Sequence, residues 1–321
     1  FKYMFNKKVI SEYIYKKNKI VSLSIFLALN SLFLTGCVNK NTYKPVNDKP
    51  FVLTTFTILA DLARNVAGER LEVKSITKPG AEIHSYKFTP SDIVKTKGAK
   101  LILENGLGLE AWISKFMMST AEIPKVKLTE GITPLLIDGD VYAGKPNPHA
   151  WMSPKRAMNY VDKIVDAFIK IDPDGVLEYR ANASTYKAKL ESLDKELRDS
   201  LSSISKERRF LVTCEGAFSY LANDYGMKEG YLWPVNAESQ VTPKRMVDLI
   251  KLIKENDIPT IFCESTVSSK AQMEVAKSSG AVFGGTFYVD SLSGPDGPAP
   301  TYIKLLRHNV RLIIEGLIPK T

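Results

Sequence analysis

Residues 172–209 read DPDGVLEYRANASTYKAKLESLDKELRDSLSSISKERR, and their pattern decides how the chain is organised. Tyr186, Leu190, Leu193, Leu197, Leu201 and Ile204 recur at spacings of four, three, four, four and three, which is one face of an α-helix. Asp172-Pro173-Asp174-Gly175 is a turn-rich start, and residues 205–209 are a polar stop. The helix predicted between them has roughly 29 residues and a length of about 43 Å at 1.5 Å per residue. That is long enough to span two lobes; the plainer alternative is a long surface helix within one domain.

On both sides of this segment, short apolar runs alternate with helical patterns. Upstream they are residues 51–56, then 59–66 closed by Gly68, 71–76, 100–103 and 109–118. Downstream they are 209–213, 217–225, 231–235, 246–254, 260–263, 271–279 and 281–287. This is the βα rhythm of a parallel sheet, met twice. The expected fold class is therefore α/β: two lobes, each a mainly parallel sheet flanked by helices, joined by one long helix. The expected boundaries are 51–175, 176–205 and 206–321. A length of roughly 285 residues beyond the amino-terminal segment is large for one core and agrees with two lobes. No short-period repeat is present, which disfavours a solenoid.

At the amino terminus, Lys7, Lys8, Lys16, Lys17 and Lys19 precede an apolar run over 20–34, the layout of a signal peptide. The run is shorter than the roughly 20 residues that a helix needs to cross the hydrocarbon core. It ends in Leu34-Thr35-Gly36-Cys37, which resembles the lipobox of bacterial lipoproteins, in which the Cys becomes the lipidated first residue. The resemblance implies residues 1–36 as signal peptide, Cys37 as lipidation site and a body on the extracellular or periplasmic side of the cell membrane. Several acyl chains anchor stably because each buried methylene contributes about 0.8 kcal/mol. The polar stretch over 37–50 reads as a flexible tether.

Residues before Cys37 carry six Lys and one Glu, which is +5 of the whole-chain charge of +9. The remainder is mildly basic, with both signs interspersed, so nucleic acid is not an expected partner. Cys214 and Cys263 each lie inside an apolar run and imply no disulfide framework. They are expected in the core as small hydrophobes, with pairing left open.

Histidine is scarce, with only His84, His149 and His308. His84 lies in Ile83-His84-Ser85-Tyr86-Lys87-Phe88-Thr89-Pro90-Ser91-Asp92, where Thr89 is placed to cap a helix that starts with Pro90 and carries Asp92 in its first turn. Such loops at the carboxyl ends of strands are where open α/β sheets bind ligands. His149 lies in Pro146-Asn147-Pro148-His149-Ala150-Trp151-Met152-Ser153-Pro154, a turn stiffened by prolines that leads into a helix. Taken alone, either residue reads as an ordinary loop histidine.

Together the two segments resemble those of the manganese-, zinc- and iron-binding lipoproteins of ABC transporters, the cluster A-I (cluster 9) solute-binding proteins. The likeness extends over the lipobox, both lobes and the long helix. Phe88 departs from the proline usual after the His-x-Tyr motif, and Asn147 from a frequent Asp; neither removes a ligand. The family's third ligand position matches Glu215 in Val212-Thr213-Cys214-Glu215-Gly216, and its fourth matches Asp290 in Phe287-Tyr288-Val289-Asp290-Ser291. Without the resemblance, either acid reads as a solvated charge. Asp92 and Glu264 are the competing acids; they read as a helix first-turn acid and a strand-end acid capping a neighbouring loop.

The resemblance implies one divalent metal ion, bound by His84, His149, Glu215 and Asp290 as transported cargo, a permease as partner, a lipid anchor to the membrane, and a monomer. Two imidazoles with two carboxylates suit manganese or ferrous iron better than a three-imidazole site does, although ligand type does not exclude zinc. The expected mechanism is capture between lobes with modest closure and ordering of the loops near Asp290. Two other classes compete. A hydrolytic metalloenzyme keeps a coordination position open to water, but the chain lacks a His-Glu-x-x-His pattern, a Gly-x-Ser-x-Gly elbow and a phosphate-cradling loop. A surface adhesin has no feature of its own in the sequence, and no enzymatic activity is expected.

Overall fold

The first sheet is built from β1 (Phe51–Thr54), β2 (Glu72–Ser75), β3 (Ala99–Glu104) and β4 (Lys125–Lys127), in spatial order β2-β1-β3-β4 with every pairing parallel. The computed structural model describes residues 49–318 apart from 111–117, 119, 121, 139–141 and 236–240. The expected signal segment, the expected lipidation site Cys37, most of the expected tether and most of the helix expected over 109–118 lie outside the described residues. Helices α1 (Thr57–Ala67), α2 (Pro90–Lys95) and α3 (Pro154–Ile171) complete this half. The second half holds two parallel strand pairs. β5 (Phe210–Glu215) pairs in parallel with β6 (Lys228–Trp233), and β7 (Thr260–Glu264) with β8 (Val282–Phe287). Around these strands lie α5 (Ser219–Tyr225), α6 (Pro243–Glu255), α7 (Lys270–Ser279) and α8 (Tyr302–Leu317). Every residue of β5 and β7 is buried, as parallel strands covered on both faces require.

Between the halves runs α4 (Val176–Ser202), 27 residues and about 40 Å long. All five of its heptad-spaced residues from Tyr186 to Leu201 are buried, and Ile204 packs just beyond its end. The helix stops short of residue 205 because serine hydroxyls turn back on the last turns: Ser202 Oγ donates to Asp199 O (2.6 Å) and Ser203 Oγ to Ser200 O (2.9 Å). At its start, a side chain on Gly175 would lie 2.4 Å from Arg70 Nε and 2.5 Å from the Tyr179 ring, so no larger residue fits. α4 packs on α1 and α3 from the first half and on α8 from the second. One apolar cluster follows it across both halves and includes Leu59, Tyr160, Leu190, Phe218, Phe287 and Leu305. A smaller cluster with Val212, Leu232, Ile253 and Ile261 covers the other face of the second sheet system. Lys49–Thr321 forms one compact unit.

The cysteines lie in the core, as expected, and the pairing that the sequence leaves open is formed. Cys214 of β5 and Cys263 of β7 are fully buried and joined by a disulfide. Their Cα atoms are 4.8 Å apart, the spacing of neighbouring strands, and both side chains point to the same face. The adjacency of β5 and β7, on which the pairing depends, is set by a crossover that residue patterns do not reveal. Among the described residues, no helix is long and apolar enough to cross a membrane.

Candidate metal centre

Four side chains converge where the carboxyl ends of the strands from both halves meet, the place where open α/β sheets bind ligands. Glu215 is the last residue of β5, and Asp290 lies three residues past β8. His84 sits in the loop between β2 and α2, and His149 precedes the single helical turn Ala150–Met152 that leads into α3. The side chains are 0–3% exposed. His84 Nε2 lies 3.0 Å from His149 Nε2, 3.4 Å from Glu215 Oε1 and 3.6 Å from Asp290 Oδ1. His149 Nε2 lies 3.8 and 3.9 Å from the same two oxygens. Four donors arranged tetrahedrally at about 2.1 Å from an ion would be about 3.4 Å apart, so these separations bracket the ideal edge. Asp290 Oδ1 is buried without a hydrogen-bond partner, an orphaned acceptor facing both imidazoles.

Each group is held by its own support. Glu82 accepts hydrogen bonds from the backbone N–H groups of His84 and Ser85, which folds the His84 loop inward. Asp92 then locks the start of α2: the N–H and hydroxyl of Thr89 donate to Asp92 Oδ2 (2.8 and 2.9 Å), and Lys95 pairs with Oδ1 at 2.7 Å. Asp92 therefore belongs to the helix start and not to the four-residue cluster. Asn105, just past β3, donates to Pro148 O (3.0 Å), and the Trp151 ring packs tilted against His149 with ring centroids 5.0 Å apart. Thr266 donates to Asp290 Oδ2 (2.9 Å). Trp151 Nε1 donates to Val289 O (2.9 Å), tying the His149 turn to the Asp290 loop. Glu264, at the end of β7, accepts the backbone N–H of Glu215 at 3.3 Å, so the loop that it caps is that of Glu215 itself. Asn105, Glu82 and Thr266 carry no sequence signal that distinguishes them from routine loop residues. His308 stays on the surface, its Nε2 2.9 Å from Thr286 O.

The electrostatics separate the two imidazoles. Burial opposes a charge on His84, but the Glu215 and Asp290 carboxylates outweigh it and push its pKa up to about 9. His149 is pushed down to about 3 by burial and by the cation on His84. Burial also opposes ionisation of Asp290, but the facing His84 charge holds its carboxyl below the usual range. Glu264 goes the other way: burial first, and then the Glu215 charge, push its pKa well above the usual carboxylate range. In the absence of an ion, a proton on His84 supplies the positive charge among the carboxylates.

Residues 52–316 match the family model described as "ZnuA: Zinc-uptake complex component A periplasmic". The chain is 49% identical over 298 residues to the iron-binding protein YfeA of Yersinia pestis, covering 93% of this chain and 96% of that protein. It is 32% identical over 308 residues to the manganese ABC transporter substrate-binding lipoprotein PsaA of Streptococcus pneumoniae, covering 93% and 99%. The solved Mn-bound periplasmic metal binding protein from Candidatus Liberibacter asiaticus superposes with a TM-score of 0.78 at 38% identity, over 84% of this chain and 100% of that one. With a family match along nearly all of the described residues, the chain belongs to the ZnuA family, the substrate-binding proteins of metal ABC transporters.

Proposed function

We propose that the chain captures one divalent transition metal as cargo through His84 Nε2, His149 Nε2, Glu215 and Asp290, and delivers it to an ABC permease. The observation that carries this reading is the set of five donor separations between 3.0 and 3.9 Å among four buried groups, one of which is an acceptor without a partner. Two carboxylates and two imidazoles bring a net charge of −2 to a dication and lean toward oxygen ligation, which favours manganese or ferrous iron over zinc. The relatives named for iron in Yersinia pestis and for manganese in Streptococcus pneumoniae point the same way.

In this reading the ligands are shared between lobes, with His84 and His149 from residues 51–175 and Glu215 and Asp290 from residues 206–321, while 176–205 is the joining helix. Closure on the ion is small. It is supported by ties that already cross between the halves: Leu292 N donates to Thr57 Oγ1 (3.0 Å), and Arg156 holds Asp224 through two 2.8 Å bonds. Lipidated Cys37 holds the body at the membrane as a monomer, facing the extracellular or periplasmic side, as the lipoprotein names of relatives suggest.

The test is calorimetric titration of the metal-stripped protein, from residue 38 onward, with manganese, ferrous iron and zinc, beside Glu215→Ala. Stoichiometric binding that the variant loses is expected, and the order of the ions gives the cargo. Equal binding by parent and variant would remove Glu215, and with it the four-ligand site.

A further inference from the structure

We infer that Asn147 is a positioning residue that fixes the tautomer of His149 and latches it to the Glu215 end of β5, and that a carboxylate cannot replace it here without loosening the centre. The inference rests on His149 and Glu215 being ligands, as proposed above.

Backbone polarity fixes the orientation of the Asn147 amide. Asn147 Oδ1 accepts the backbone N–H of His149 at 3.0 Å, and a backbone N–H can only donate. On the other side of the amide, Nδ2 donates to Gly216 O at 2.7 Å, and a carbonyl can only accept. These two contacts settle which end of the amide is oxygen, a choice that side-chain partners alone leave open. His149 Nδ1 lies 2.8 Å from that same Oδ1 and must therefore carry the proton. The lone pair of the neutral ring is then on Nε2, the atom that faces His84, Glu215 and Asp290. A hydrogen bond on the far nitrogen of an imidazole is the usual means of setting its donor atom toward a metal.

The second half of the amide does different work. Gly216 directly follows Glu215, and Nδ2 also reaches Ser219 Oγ (3.2 Å) at the start of α5. Gly216 has no freedom to move away, since its N–H donates to Trp233 O (2.9 Å) and a Cβ on it would lie 2.6 Å from Pro234 O. The Asn147 backbone is equally pinned, with N–H to Leu135 O (2.8 Å) and C=O from Tyr220 OH (2.8 Å). One planar group thus sets the distance between an imidazole from the first half and a carboxylate from the second. An Asp at 147 keeps the acceptor for His149 but presents oxygen to the Gly216 carbonyl, where no proton is left to share. The two functions of the amide are separable by substitution.

The chain contains only three histidines, so ring-nitrogen spectra of the full-length protein, labelled with 15N-histidine and held in detergent, are few enough to assign. Metal-free parent is expected to give His149 in the Nδ1–H form. In a His84→Ala background, which takes away the Nε2–H that His84 presents to His149 Nε2 at 3.0 Å, Asn147→Ala should shift His149 toward the Nε2–H form that prevails in water, and Asn147→Asp should leave it Nδ1–H. Manganese released into excess chelator should leave Asn147→Asp roughly tenfold faster than parent, the effect of one buried hydrogen bond left unmade. An unchanged tautomer in Asn147→Ala on that background overturns the first function, and an unchanged release rate in Asn147→Asp overturns the second. The tautomer is read without metal, so its failure is distinct from failure of the metal reading, which would appear as unaltered manganese binding by His149→Ala. A lowered melting temperature alone would move neither readout in this pattern.

Discussion

Metal capture should expel one proton, and the proton should come from His84. At pH 7 an imidazole with a pKa of about 9 is almost wholly protonated, whereas His149, at about 3, is neutral. A metal ligand must be deprotonated, so in the proposed site the ion competes with the His84 proton for Nε2. Two pH units of competition weaken the apparent affinity about 100-fold, or about 2.7 kcal/mol, relative to the deprotonated site. The sign follows from the raised pKa: affinity should climb about tenfold per pH unit from pH 6 and level off near pH 9. Titrations of manganese in buffers of different ionisation enthalpy read the proton count directly. The expected value is close to one proton released per ion at pH 7, falling toward zero as the pH reaches 9 and above. A count near zero at pH 7, with affinity flat between pH 6 and 9, would rule out a proton on His84. It would mean that the facing carboxylates do not hold a proton on His84.

Other outcomes follow from the supports. Replacing Cys214 and Cys263 together by Ala should destabilise the fold by about 4 kcal/mol, from the chain entropy of a loop of this length, as read by urea denaturation; the two lie 49 residues apart. Arg156→Met strands the buried Asp224 carboxylate, which Arg156 and Ser153 hold below its usual pKa against the cost of burial, and should cost about 3 kcal/mol at pH 7. That cost should shrink as the pH falls and Asp224 is protonated, which thermal melts across pH 4–7 will follow. Glu264→Gln should be well tolerated. Because the folded state raises the pKa of Glu264, parent stability falls as pH rises above about 4.5, and the Gln variant should gain on the parent over that range; parallel pH profiles would contradict a raised Glu264 pKa.

The long helix was the most legible feature, because periodicity over five turns is a local property and burial of the Tyr186–Leu201 face is its direct consequence. The βα rhythm likewise follows from runs of residues, and it yields two parallel sheet systems. What the rhythm cannot carry is the order of strands: that β5 lies beside β7, bringing Cys214 to Cys263 and Glu264 under Glu215, depends on crossovers that leave no mark in the residues. The site is legible in a similarly divided way. Proline-stiffened loops draw attention to His84 and His149, whereas Glu215 and Asp290 stand out only through family resemblance, since an acid at a strand end looks the same with or without a ligand. Asn147 is visible in sequence only as a departure from a frequent Asp. Its two-sided bonding becomes apparent once Gly216, 69 residues away, lies against it.

The apolar cluster that runs along α4 from Leu59 to Leu305 also limits how modular the molecule is. The larger core is held in common, beside a smaller cluster with Val212, Leu232, Ile253 and Ile261 in the second half, so neither half is expected to melt first, and heating should give one cooperative transition whose midpoint climbs with added manganese. Transient melting of one half is then closed as a route for letting cargo go, which leaves contact with the permease to supply the work. The same sharing governs recombination between relatives. A chimera that exchanges the second half must carry α4 with it, together with the faces of α1, α3 and α8 that α4 covers, or it will inherit two half-cores that do not fit.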